Sequence, residues 1–252
     1  MPLITPSAAS ETGRLPFTTF MTTPDEHILR TWHANVVPWT RAVRAGEIAS
    51  RVAVTNAAIL EAIRGRTPRR LLDIGCGEGW ICHAMAREGV SCVGVDAIPG
   101  LIAEARRDHP AGAVPGTYIE ATYADIADGA LAASYGSAFD VIVINFALLG
   151  EASVGPLLQA LAALRKPEGV LLIQTLHPVR ASLDAPYMDG WREGSWSGFS
   201  ADFTDPAPWY FRTIGSWVAL LHANGWSLEG LREPLHPQTG QPASLLLEAR
   251  AR

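Results

Sequence analysis

The chain has 252 residues, 48% of them apolar, and a formal net charge of −5 at neutral pH. That is enough apolar material for a substantial core, and it argues against disorder. The chain has no extended lysine–arginine block, so the phosphate neutralisation on which nucleic-acid affinity rests is missing, and a nucleic-acid partner is disfavoured. Arg64, Arg66, Arg69 and Arg70 read as a solvated loop before a strand.

Cys76, Cys82 and Cys92 make an odd count with no C-x-x-C spacing, which fits a reducing compartment and points to neither a disulfide framework nor a metal site. The first residues lack a basic segment followed by an apolar run. No apolar stretch reaches the roughly 18 residues needed to cross a bilayer. The expectation is a cytoplasmic protein with no membrane partner and no metal. The oligomeric state is left open.

In chain order, residues 1–24 are rich in Pro, Thr and Ser and read as a mobile tail. Residues 25–64 turn helical, with Ile48, Val52, Ile59 and Ile63 spaced as one helix face requires. Strands and helices then alternate: strand 70–74, helix 80–88, strand 91–95, helix 98–108, strand 118–121, strand 139–145, helix 155–165, strand 169–175. The run FDVIVIN is β-branched throughout, as a strand buried on both faces tends to be. Residues 178–208 lose all periodicity and gather Gly, Pro, Ser and aromatic residues, which suits a lid. Helix 212–224, capped by Gly225, leads to strands 226–231 and 244–249, read as an antiparallel pair.

The pattern specifies an α/β fold: a doubly wound, mostly parallel, seven-stranded sheet closed by an antiparallel C-terminal strand. An N-terminal helical extension precedes it and an insertion follows strand five. Residues 1–66 are expected to form a tail and helical cap, and residues 67–252 one domain with the insertion at 178–208.

Open α/β sheets bind ligands beyond the carboxyl ends of their strands. LLDIGCGEGW lies at such an end. The spacing G-x-G-x-G departs from the dinucleotide pattern G-x-G-x-x-G, and Glu78 would repel a pyrophosphate. Asp73 suits a cationic group instead. Asp96 ends the second strand, where a carboxylate can accept both hydroxyls of a ribose. A ribose, an ammonium group and no phosphate describe S-adenosylmethionine.

These residues resemble the class I, Rossmann-like methyltransferases, in the small-molecule branch of ubiquinone-biosynthesis type. D-x-G-x-G-x-G, the acid ending strand two, Ala124-Asp125-Ile126, FDVIVINFALLGE and LRKPEGVLLIQT carry the resemblance, with Glu168 replacing a usual glycine. It covers residues 69–176 well and 209–250 loosely. It implies S-adenosylmethionine as cofactor, with Gly75, Cys76, Gly77 and Gly79 cradling the methionine part and Asp73 holding its ammonium group. Asp96 and the adjoining Ala97 would meet the ribose, and Ile98 the adenine. Asp125 would accept from the adenine amino group beside Ala124, Ile126 would offer a backbone N–H, and Asn145 and Phe146 would line the sulfonium end.

The run Asn145-Phe146-Ala147-Leu148 lacks the prolines of amino-methylating nucleic-acid enzymes, and no Pro-Cys pair suggests cytosine chemistry. A small organic acceptor, methylated at oxygen, is expected. The alternative is a protein that binds the cofactor without transferring the methyl. His177, at the end of strand five, is the expected general base or substrate-orienting group. Trp39, Tyr210, Arg212 and His236 are the expected acceptor-binding residues.

Overall fold

The computed structural model describes residues 23–252. The expected mobile tail over 1–24 lies outside the described residues apart from Thr23 and Pro24. Thr23 opens the first helix, α1 (Pro24–Ala34), in a capping box with Glu26, and Pro24 occupies the first turn. α2 (Val36–Arg44) follows, then a π-helical turn (Arg51–Thr55) running into α3 (Asn56–Arg64).

The π turn corrects the expected apolar stripe. Ile59 and Ile63 are fully buried, but Val52 is 63% exposed. One extra residue in the turn rotates the preceding positions off the core face. Arg51, Val54 and Thr55 are buried in their place.

The sheet contains β1 (Arg70–Ile74), β2 (Ser91–Asp96), β3 (Thr117–Glu120), β4 (Phe139–Asn145), β5 (Arg165–Thr175), β8 (Trp226–Arg232) and β9 (Leu245–Ala251). Its order is β3-β2-β1-β4-β5-β9-β8. All neighbours pair in parallel except β9, which is antiparallel to both β5 and β8. The expected seven-stranded architecture is therefore the observed one.

Alternation along each strand divides the core. Leu72, Ile74, Ile142, Ile144, Leu171 and Ile173 face one layer with α8 (Val154–Ala162) and α10 (Ile214–Ala223). Leu71, Val141, Val143, Val170 and Leu172 face the other, with α3, α4 (Trp80–Arg87) and α5 (Pro99–Arg107). The strands are buried on both faces, as their continuous apolar runs require. Two short helices, α6 (Tyr123–Ala127) and α7 (Ala132–Tyr135), precede β4 and carry too few turns to show a period in the sequence.

The insertion after β5 is more ordered than its composition suggests. It contains α9 (Pro178–Ala181) and β6 (Gly190–Arg192), which pairs antiparallel with β7 (Trp209–Phe211) just beyond it. The N-terminal helices clasp it. Buried Asn35 donates to the carbonyl of Thr204 at 2.7 Å and accepts from its N–H at 2.9 Å. Arg41 reaches Asp202 at 2.5 Å, and His27 meets Asp205 at 2.8 Å. Trp32 packs edge-on against Trp39 and Trp196, and Trp196 edge-on against Phe199 and tilted against Phe203.

Asn35→Ala leaves both backbone groups of Thr204 without this partner, at a cost of about 1–3 kcal/mol. The expected outcome is faster hydrogen exchange over 178–208 with the sheet amides unchanged. Uniform acceleration across the whole chain would show that the clasp and the sheet open as one unit.

Candidate active site

The loop after β1 turns on three glycines in the left-handed region, Gly75 at φ 69°, Gly77 at 57° and Gly79 at 84°. Gly75 has a second reason to lack a side chain: a Cβ there would stand 2.4 Å from the Cβ of Ala147. The loop thus runs against the segment after β4. Tyr123 bridges them, donating its hydroxyl hydrogen to the carbonyl of Ala147 at 2.9 Å.

Charges crowd around this loop. Asp73, at the end of β1, is 1% exposed, and its Oδ1 has no partner among the described residues. Burial pushes its carboxyl up to about 8, and the neighbouring Glu78 and Asp96 add to the effect. Glu78 is also buried and raised by desolvation; it accepts from the indole N–H of Trp39 at 3.1 Å, and its Oε1 is unpartnered. Asp96 accepts from the N–H of Gly77 and of Ile98, each at 2.9 Å, so it ties the glycine loop to the entry of α5. Burial raises its carboxyl, and those two backbone donors oppose the rise.

The counter-charge is Arg51, from the π turn. It is 8% exposed and lies over the rings of Trp80, at 4.9 Å, and Trp39, at 5.6 Å. Its Nε donates to Asn56, and its Nη2 has no partner among the described residues. Burial lowers its pKa, and Glu78 and Asp73 hold it up. Sequence reasoning missed Arg51, because an arginine inside a helical stripe looks like a solvated residue until the π turn rotates it inward. It also read Glu78 only as a deterrent to phosphate.

Other expected residues fall around this cleft with different fates. Ile98 is buried at the N-cap of α5, and Ala97 lies beside it. Ala124, Asp125 and Ile126 form α6, and two of the expected adenine contacts are already engaged there. The Asp125 Oδ2 accepts from the N–H and hydroxyl of Thr122, and the Ile126 N–H donates to the Thr122 carbonyl at 3.1 Å. These bonds close the short capped helix α6 and leave the Asp125 Oδ1 without a bond inside it. Asn145 ends β4 with its Oδ1 buried and unpartnered. Phe146 takes φ 54°, a costly conformation outside glycine, held by its N–H on the Gln174 carbonyl at 2.7 Å.

A cavity of about 280 Å³ adjoins the cleft through Phe146 and Trp39. Its other walls come from the β4 and β5 ends, the insertion and α10, including Leu148, Thr175, Trp196, Tyr210, Arg212 and Trp217. Of the expected acceptor-binding residues, Trp39, Tyr210 and Arg212 line it. His236 does not; its Nδ1 accepts from the N–H of Gln238 at 3.3 Å in the turn between β8 and β9. His177 is also absent from the wall. It is 3% exposed, and its Nε2 pairs with Glu233 at 2.6 Å. The chain turns into α9 at this residue, so the imidazole packs toward β8 while Leu176 and Pro178 face the cavity.

The raised Asp73 carboxyl sets a pH dependence. The native chain holds a proton that the unfolded chain has released between about pH 4 and 8, so stability falls across that window and levels off above it. Asp73→Asn removes this contribution. Melting temperatures of the ligand-free variant should vary less over that range than those of the parent; parallel curves would place the Asp73 pKa near its ordinary value.

Comparison with known proteins agrees with this geometry. Residues 48–231 match the family described as a methyltransferase domain. A ubiquinone biosynthesis O-methyltransferase of Azorhizobium caulinodans is 33% identical over 108 residues, 43% of this chain and 40% of the relative. One from Xanthomonas campestris is 31% identical over 140 residues, 56% and 52% of the two chains. The chain thus spans about half the length of the curated relatives it matches. Among solved structures, the 1,6-didemethyltoxoflavin-N1-methyltransferase of Burkholderia thailandensis, with S-adenosylhomocysteine bound, superposes with a TM-score of 0.61 at 20% identity, over 92% of this chain and 91% of that one. Among the described residues no helix is long and apolar enough to cross a membrane. Sheet order, glycine loop and family match agree: the chain has the class I, Rossmann-like methyltransferase fold and belongs to the methyltransferase-domain family.

Proposed function

We propose that the enzyme methylates an oxygen atom of a small organic acceptor seated in the aromatic cavity beside the glycine loop. The observation that carries this reading is the shared wall: Trp39 lines the cavity and bonds Glu78 of the glycine loop, and Phe146 lines the cavity next to Ala147, on which Gly75 packs. The curated relatives, which are O-methyltransferases, support oxygen as the accepting atom.

The cleft fits an amino-acid zwitterion. Asp73 offers an unpartnered buried carboxylate oxygen to an ammonium group, and Arg51 offers an unpartnered buried N–H face to a carboxylate. Each charge that burial disfavours alone would gain its opposite. The positive-φ glycines let a ligand approach the backbone closely. Asp96 keeps lone pairs for ribose hydroxyls beyond the two it uses on Gly77 and Ile98. When bound, S-adenosylmethionine supplies an electrophilic methyl group on a sulfonium. The residues around the cavity align the acceptor and exclude water, which is where this site's rate advantage arises.

Asp96→Ala should weaken S-adenosylhomocysteine binding by about 1–3 kcal/mol, the range for charged acceptor bonds left unmade. Calorimetry measures this directly, and an unchanged affinity would place the ribose elsewhere. Transfer of labelled methyl to phenols, carboxylic acids, quinols and amines, with product analysis, tests the accepting atom; a product methylated only at nitrogen or carbon refutes the oxygen assignment.

His177 is assigned to structure on the strength of its burial against Glu233. His177→Asn should lower the melting temperature and leave the transfer rate within a few-fold of the parent. A loss of about 10²–10⁴-fold, the usual contribution of a general base, would return His177 to catalysis.

A further inference from the structure

The cavity wall is carbon-rich but contains one buried cation. Arg212 is 6% exposed, and its Nη2 donates to the carbonyls of Gly150, at 2.8 Å, and Glu151, at 3.3 Å. Its Nη1 is buried without a partner among the described residues. Asp189, Glu151 and Asp25 stand near enough to favour its charge, but among the described residues none forms a direct ion pair with it, and each accepts a bond from another group. Asp189 accepts from the Thr213 N–H at 2.9 Å, Glu151 from the Trp191 indole at 3.1 Å, and Asp25 from the Glu151 N–H at 3.4 Å. Burial lowers the guanidinium's pKa, yet an arginine keeps its charge at any working pH. A buried, incompletely bonded cation is costly unless an anion completes it.

A second observation concerns what the wall lacks. Among the described residues, no carboxylate and no imidazole lines the cavity. A neutral hydroxyl acceptor needs a base to take its proton during transfer, and His177 and His236 both stand away from the wall. A base-free wall suits an acceptor that has already lost its proton.

The third observation is shape. The Arg212 guanidinium lies 4.8 Å from the Tyr210 ring centre and 5.1 Å from that of Trp217, so aromatic faces flank the cation. Trp196, Phe199 and Trp209 complete a chamber rich in aromatic rings whose volume of about 280 Å³ lies at the small end for ligand sites.

We propose that the acceptor is a flat, acidic ring compound that enters as its oxyanion, with the negative charge held by Arg212. This rests on the oxygen-methylation reading and specifies the acceptor class for it. The charges balance without a base: the acceptor oxyanion forms the new O–C bond and becomes neutral, the sulfonium C–S bond breaks to leave a neutral thioether, and no proton needs a destination.

The test uses the full chain saturated with S-adenosylhomocysteine. Calorimetry compares benzoate with benzamide, 1-naphthoate with 1-naphthamide, and 4-nitrophenolate with 4-nitroanisole. At least one anion should bind about tenfold more tightly than its neutral partner, the effect of one charged hydrogen bond. Arg212→Gln should bring that ratio toward equality, Arg212→Lys should retain most of it, and cofactor-product affinity should be the same in all three proteins. Failure of every anion to bind, a preference for the neutral partners, or a ratio unchanged in Arg212→Gln would each overturn the proposal. Should the glutamine variant misfold, the preference of the parent and of Arg212→Lys still decides it. A methyl group found only on nitrogen or carbon overturns the oxygen reading instead and leaves the anion preference to be judged by the binding ratio.

Discussion

Three carboxylates share the carboxyl end of the parallel sheet, and one buried guanidinium answers them. Asp73, Glu78 and Asp96 are all pushed toward the neutral form by burial, and Arg51 is pushed the same way from the opposite sign. Among the described residues, Asp73, Glu78 and Arg51 each keep a buried polar atom without a partner. A sheet tip that buries charge without neutralising it is poorly suited to stability and well suited to a zwitterionic ligand.

That constraint explains why the N-terminal helices matter. The guanidinium arrives only because a π turn rotates Arg51 inward, between the indoles of Trp39 and Trp80. Trp39 also bonds Glu78 and packs on Trp32, which packs on Trp196 of the insertion. A continuous set of contacts therefore runs from the glycine loop to the roof of the cavity. Asn35 and Arg41 fasten the same two segments by hydrogen bonds. The N-terminal helices therefore supply the buried guanidinium at the glycine loop and also hold the insertion above the cavity.

The cavity itself is a different environment. Its cation forms no direct ion pair among the described residues, and its walls are rich in aromatic side chains. Cleft and cavity meet at Phe146, whose left-handed backbone is held by β5 through Gln174. Strain at that junction is maintained by strands buried on both faces, which leave the backbone little freedom to relax.

Local pattern alone was enough to specify much of this protein. Strand runs such as FDVIVIN, the glycine spacing after Asp73 and the acid ending β2 are short-range features, and each has one economical physical reading. They determined the sheet, the class of cofactor and the position of the cleft. Tertiary structure decided the rest. Arg51 came to the cleft through a π turn that has no composition signature, and the Ile126 N–H meets the Thr122 carbonyl because α6 closes there. His177 sits where a catalytic base would be sought, but the turn into α9 sends its ring to Glu233. Arg212 looked like one polar candidate among several until burial left its Nη1 alone in an aromatic wall. Periodicity records which residues are buried together; which way a single side chain points is set by neighbours distant in sequence, through bonds that no local pattern contains.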